Sequence, residues 1–202
     1  AMQIKGQSLR KCVEDYHKKA SGNLYIDTSF HLIISDPTPQ VLGQELPALS
    51  KDGYTSFKVF MTYDDLVLND KELIEVFDVA KQLKTLVMVH AEGYDSIKYL
   101  SDKFEKEGKT APYYHAPTRP QIVEREATHR AISHAQIVDI PLMIVHVSGE
   151  EALNQIRWAK DKGIKVFSET CPQYICLTEE DLKGLNMDFE GAKYVCSPPP
   201  RD

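Results

Sequence analysis

Thr85-Leu-Val-Met-Val-His90 runs through five apolar or β-branched residues without a polar alternation. A strand of that composition is buried on both faces, as the inner strands of parallel sheets are. Parallel neighbours cannot be joined by tight turns and need helical crossovers, so the chain on either side should alternate helix and strand. Outward from residue 85 the pattern does so. Helical periodicity covers residues 70–83 before the strand and residues 95–107 after it. Strands are expected at 55–61, 141–146 and 165–169, and a longer strand-like run at 24–34. Helices are expected at 8–20, closed by Ser21-Gly22, and from Pro39 to about residue 49, at 122–137 and at 150–162. A short helix near 179–185 precedes the closing segment 194–202, and 109–120 reads as a loop rich in proline and aromatics. The fold class is α/β. Five clear strands are too few for a closed eight-stranded barrel, which takes about 250 residues. A doubly wound sheet would suit the strand count, but no Gly-x-Gly-x-x-Gly follows any strand.

Composition narrows the partners. The 202 residues are 42% hydrophobic and 27% charged, an ordinary balance for one domain. Lys and Arg number 24 against 30 Asp and Glu, a net charge of −6 spread along the chain. No basic block exists, so no nucleic-acid partner is expected. No apolar run approaches the ~20 residues of a membrane-spanning helix. Ala1-Met-Gln-Ile-Lys5 has no apolar core of the secretory kind, and the four cysteines form no Cys-x-x-Cys, so free thiols in the cytoplasm are expected.

Chemistry concentrates in three strands. Thr55-Ser-Phe-Lys58-Val-Phe-Met61 carries a lysine inside an apolar strand, and two other strands run into Val-His, at His90 and His146. Carboxyl ends of parallel strands open onto active sites, where two imidazoles and an amine from neighbouring strands would converge. Imidazole suits zinc and similar ions, although a lone strand-end histidine serves equally as a hydrogen-bonded core residue. A buried lysine must be paired, neutral or modified, because an unpaired buried ammonium is costly. His31 reads as structural, and His17, His129 and His134 as solvated or capping helix residues. His115 and Arg119 either shape a site or tie down their loop.

Longer motifs sharpen this picture. They are Gly53-Tyr-Thr-Ser-Phe-Lys58-Val-Phe-Met-Thr-Tyr63, Val89-His-Ala-Glu92, Tyr113-Tyr-His-Ala-Pro-Thr-Arg-Pro120 and Val123-Glu-Arg-Glu-Ala-Thr128. Ile144-Val-His-Val-Ser148, Ser168-Glu-Thr-Cys-Pro-Gln-Tyr174 and Lys193-Tyr-Val-Cys-Ser-Pro-Pro-Pro-Arg201 follow in order. Together, from about residue 5 to residue 201, they resemble the hydantoinase and dihydropyrimidinase family of cyclic amidohydrolases.

The resemblance implies a partial (β/α)8 TIM barrel, about strands 3 to 7, with residues 1–202 forming a single catalytic-barrel piece. The first two strands, the eighth strand and the family's flanking β-sandwich would be lacking. It implies a cofactor of two divalent metal ions, zinc foremost, with Lys58 carboxylated by CO2 to bridge them and His90 and His146 binding the second ion. Tyr63 would be the catalytic, substrate-binding donor to the oxyanion, and Ser197 would hold the cyclic amide through its backbone. The reaction implied is the opening of hydantoin or 5,6-dihydropyrimidine rings by a metal-bridging hydroxide, as in pyrimidine catabolism. The partner would be a small cyclic ureide, with neither membrane nor nucleic acid, in a homo-oligomer that is a tetramer in full-length relatives.

The chain also departs from the family pattern. The family's first-strand His-x-His pair and eighth-strand aspartate have no counterpart here, and His90-Ala-Glu-Gly-Tyr-Asp95 stands where the family has His-Ala-Glu-Asn-Gly-Asp. The isolated chain is therefore expected to be inactive and to self-associate. Allantoinase and dihydroorotase match the Lys58–Tyr63 and Ser-Pro-Pro segments less well. A non-catalytic scaffold similar to the collapsin response mediator proteins is disfavoured by the retention of Lys58, His90 and His146.

Overall fold

The computed structural model describes residues 1–201. The chain divides into two compact units, Ala1–His90 with Ser133–Met143, and Ala91–Ile132 with the chain from Ile144 onward.

In the first unit, helix α1 (Leu9–Ala20) starts where the Ser8 side chain accepts from the Lys11 amide, and it buries Leu9, Cys12 and Val13. Strand β1 is only Leu32–Ile33. The longer strand expected from residue 24 does not form: Leu24, Tyr25 and Ile26 are exposed, with nothing to bury an apolar face against. After Pro39 the chain makes a π-helical turn, Val41–Glu45, and then α2 (Leu46–Lys51). Strand β2 (Ser56–Phe60) pairs in parallel with β1 and with β3 (Leu86–His90). The register sets Lys58 opposite Met88 and Phe60 opposite His90.

Burial on both faces holds for Val87–His90 of β3 but not for β2. There Phe57 and Val59 are buried, while Ser56, Lys58 and Phe60 share a more open face. Helix α3 (Asp70–Leu83) begins with a capping box in which Asn69 and Glu72 bond each other's backbone amides, at 3.0 and 2.8 Å. It ends at Lys84 in the left-handed conformation. Leu73, Val76, Phe77 and Ala80 form its buried stripe. Side chains as fully buried as Phe57 and Phe77 each contribute roughly 1.5–3 kcal/mol.

In the second unit, α4 (Tyr94–Lys106) leads to a 3₁₀ turn at Pro112–His115. Helix α5 (Gln121–Val138) and strand β4 (Leu142–Ile144) each contribute residues to both units. Then come α6 (Glu150–Asp161), β5 (Val166–Ser168), α7 (Gln173–Cys176) and 3₁₀ segments at Glu179–Lys183 and Phe189–Tyr194. Within the first unit β1, β2 and β3 lie side by side in sequence order, with α2 and α3 on the crossovers between these parallel neighbours. Among the described residues no helix is long and apolar enough to cross a membrane.

Candidate active site

In the first unit, three of the expected site residues gather around one ring. His90 ends β3 fully buried, and its backbone oxygen accepts from the Met61 amide at 3.1 Å. Its imidazole stacks on Phe60 with centroids 5.4 Å apart, and Tyr63 meets it edge-on at 5.2 Å. Phe60 and Tyr63 are 5.9 Å apart. The Lys58 ammonium sits 3.7 Å from the Phe60 ring centroid, in a cation–π contact. Lys58 is half-buried rather than fully enclosed. Phe60, the hub of the group, carries no signal of its own in the motifs, although its place two residues from Lys58 on the same strand face marks it.

His146 lies in the second unit, in the turn after β4, which ends two residues earlier than its sequence suggests. Its φ is 41° and that of Tyr63 is 72°. Non-glycine residues seldom adopt this left-handed region, and bulky ones do so at a cost. Lys84 and Asp139 also have positive φ, but each directly follows a helix, where the conformation is a common terminator. Tyr63 and His146 instead follow strands.

Ser197 is also in the second unit, its hydroxyl 3.1 Å from His115 Nε2. The same nitrogen lies 2.8 Å from the Cys196 carbonyl, and Nδ1 faces Arg119 Nη1 at 3.2 Å. A guanidinium can only donate, so Nδ1 accepts and Nε2 carries the proton: His115 is a neutral imidazole. Burial, aided by the Arg119 charge, holds its pKa down to about 4. Tyr174 donates to the Pro198 carbonyl at 2.8 Å, and burial pushes its phenol pKa upward. His115 thus ties its loop to the segment carrying Ser197, which answers the question its sequence position leaves open.

A buried charge cluster escapes the sequence reading. Glu92 and Glu124 are 0% and 2% exposed, and Arg201 lies 3.6 Å from a carboxylate oxygen of each. Glu124 accepts from the Ser148 amide at 2.9 Å, the Gly149 amide at 2.9 Å and the Ser148 hydroxyl at 3.2 Å. Arg201 Nε donates to that hydroxyl at 3.0 Å, and Nη1 to the Arg119 carbonyl. Burial pushes both carboxyl pKa values up while Arg201 pulls them down.

The remaining histidines each pair with one nearby polar side chain. His31 pairs with the Ser56 hydroxyl at 2.6 Å, and His129 with Gln155 at 3.0 Å. His17 pairs with the Tyr54 hydroxyl. His134 departs from its expected solvated role: it is largely buried, 3.2 Å from the Asp70 carboxylate that α3 presents to it. Among the described residues no three His, Cys, Asp or Glu side chains are grouped to hold a metal.

A D-hydantoinase of Rhizobium radiobacter is 48% identical over 200 residues, covering 98% of this chain and 43% of the relative. A solved D-hydantoinase structure covers all of this chain and 44% of its own, at 48% identity and a TM-score of 0.96. Along almost its whole length the chain is similar to hydantoinases and dihydropyrimidinases. The crystal structure of the dihydropyrimidinase from Brevibacillus agri NCHU1002 matches at 44% identity and a TM-score of 0.95, covering all of this chain and 43% of its own. No protein-family model matches the chain. The chain spans less than half the length of these relatives. The fold it shares with hydantoinases is the expected α/β one, part of a (β/α)8 barrel.

Proposed function

We propose that the protein is a metal-dependent hydrolase that opens hydantoin or 5,6-dihydropyrimidine rings at an amide C–N bond. The observation that carries this reading is near-half identity to D-hydantoinase along almost the whole chain, with Lys58, His90 and His146 all present. The donor set fits divalent ions, zinc first. His90 is an imidazole held by ring packing, and Lys58 is an amine on the open face of β2. The amine of Lys58 adds to CO2 and releases a proton, turning the one cationic side chain of the set into an oxygen-donor carbamate. Lys58, His90 and His146 are the proposed metal-binding residues, and two divalent cations would supply an acidified water and a polarised carbonyl.

Other residues act on the ring. The Tyr63 hydroxyl donates to the oxygen of the attacked carbonyl as negative charge builds there, the kind of preorganised contact that is worth a few kcal/mol. The Ser197 backbone orients the cyclic amide. Elemental mass spectrometry of the purified protein should find divalent metal that Lys58→Ala and His90→Asn each remove. The chain on its own is expected to turn over neither hydantoin nor dihydrouracil, and any ring opening followed by chromatography should fall with the metal by at least a hundredfold. Divalent metal retained in both variants, or ring opening that persists without metal, overturns the proposal.

A further inference from the structure

The Val123-Glu-Arg-Glu-Ala-Thr128 motif has no part in the chemistry above, yet it places a fully buried carboxylate against the turn that follows His146. We propose that Glu124, with Arg201 paired to it, is a positioning residue that holds His146 in its orientation. The proposal rests on the reading of His146 as a metal ligand.

His146 stands between two anchors. On one side the Glu169 amide donates to the Ile144 carbonyl at 3.2 Å, the Val147 amide donates to the Glu169 carbonyl at 2.8 Å, and the Thr170 hydroxyl donates to the Val147 carbonyl at 2.8 Å. On the other side the Glu124 carboxylate takes the Ser148 and Gly149 amides and the Ser148 hydroxyl. The residue between them is left in the left-handed conformation, at φ 41°. Such a geometry persists only where its surroundings over-determine it. Charge-assisted bonds to a buried carboxylate are the strong ones on this turn.

The same carboxylate caps α6. That helix has Gly149 as its N-cap and no side-chain cap of its own; Glu124 and Gln121, whose side chain accepts the Glu151 amide at 3.2 Å, supply one from α5. The approach is close: a Cβ at Gly149 would lie 3.0 Å from both Glu124 Oε2 and Gln121 Oε1.

Glu124→Gln keeps the shape but leaves one acceptor oxygen for three donors. Ile156→Val, a core change in α6, is the control for general destabilisation. Histidine ring NMR of the metal-free protein decides the proposal. Glu124→Gln should shift and broaden the His146 resonances, while Ile156→Val leaves them in place. Unmoved His146 resonances in Glu124→Gln overturn the positioning role. Competition for zinc with a chromophoric chelator reads the consequence: Glu124→Gln should bind about tenfold to a hundredfold more weakly, and Ile156→Val within about twofold of wild type. Equal zinc affinity in wild type and His146→Ala would refute His146 as a ligand, a result separate from the NMR outcome.

Discussion

The two units hold their candidate functional side chains by different physics. In the first, a parallel ladder sets Phe60 opposite His90, and the Tyr63 ring and the Lys58 ammonium pack against that pair. In the second, a turn is gripped by charge: two buried carboxylates share Arg201, and a neutral imidazole ties down the Ser197 segment. Helix starts show the same contrast, since α3 is capped by its own Asn69 and α6 by Glu124 from another helix. A ladder places a residue through its sequence neighbours. A charge cluster places it through residues far along the chain, and makes the geometry depend on pH.

The hardest blow to this contrast is Arg201→Leu. It leaves Glu92 and Glu124 buried without their shared cation, which should cost about 3–5 kcal/mol in urea unfolding at neutral pH. Burial, already the largest influence on both carboxyls, then loses its main opponent and favours their protonated forms, so the variant should regain stability as the pH falls. A loss under about 1 kcal/mol would show that charge does not hold the second unit.

The next effect belongs to His115. Its pKa is near 6.5 in the unfolded chain and about 4 in the folded one. Between these values the unfolded state binds more protons, so stability is lost as the pH falls from 6.5 to 4. His115→Gln keeps a donor for the Cys196 carbonyl and does not titrate. It should flatten the profile by on the order of 3 kcal/mol at pH 4 relative to wild type. Parallel profiles for the two proteins would place the pH response elsewhere.

The smallest effect sharpens the other side. Asn69→Ala removes a local cap and should cost about 1 kcal/mol, read from urea denaturation. Its cost should be the same at pH 5 and pH 8, because no buried charge is involved.

Legibility follows the same divide. Helices α1 and α3 and strands β2 and β3 lie close to where the sequence puts them, because each depends on residues a few positions away. Residues 24–31 read as strand and are not, since propensity alone cannot supply a partner surface. His134 reads as solvated or capping, because nothing in its own helix points to its partner Asp70 on α3. Strand logic singles out Lys58 and His90 as candidates, whereas Tyr63 stands out only through the family motif. Glu124 and Arg201 are not, because Ser148, the group they share, lies 24 and 53 residues from them.

Tyr63 and His146 carry a further consequence for anyone evolving this protein. A left-handed backbone costs a non-glycine residue roughly 1–2 kcal/mol. A library sorted on heat tolerance alone would therefore drift towards glycine or asparagine at both positions, while one sorted on turnover would keep the tyrosine and the histidine. The two sorted pools would disagree most where stability and turnover ask for different residues, and sequencing both would test whether Tyr63 and His146 are such positions.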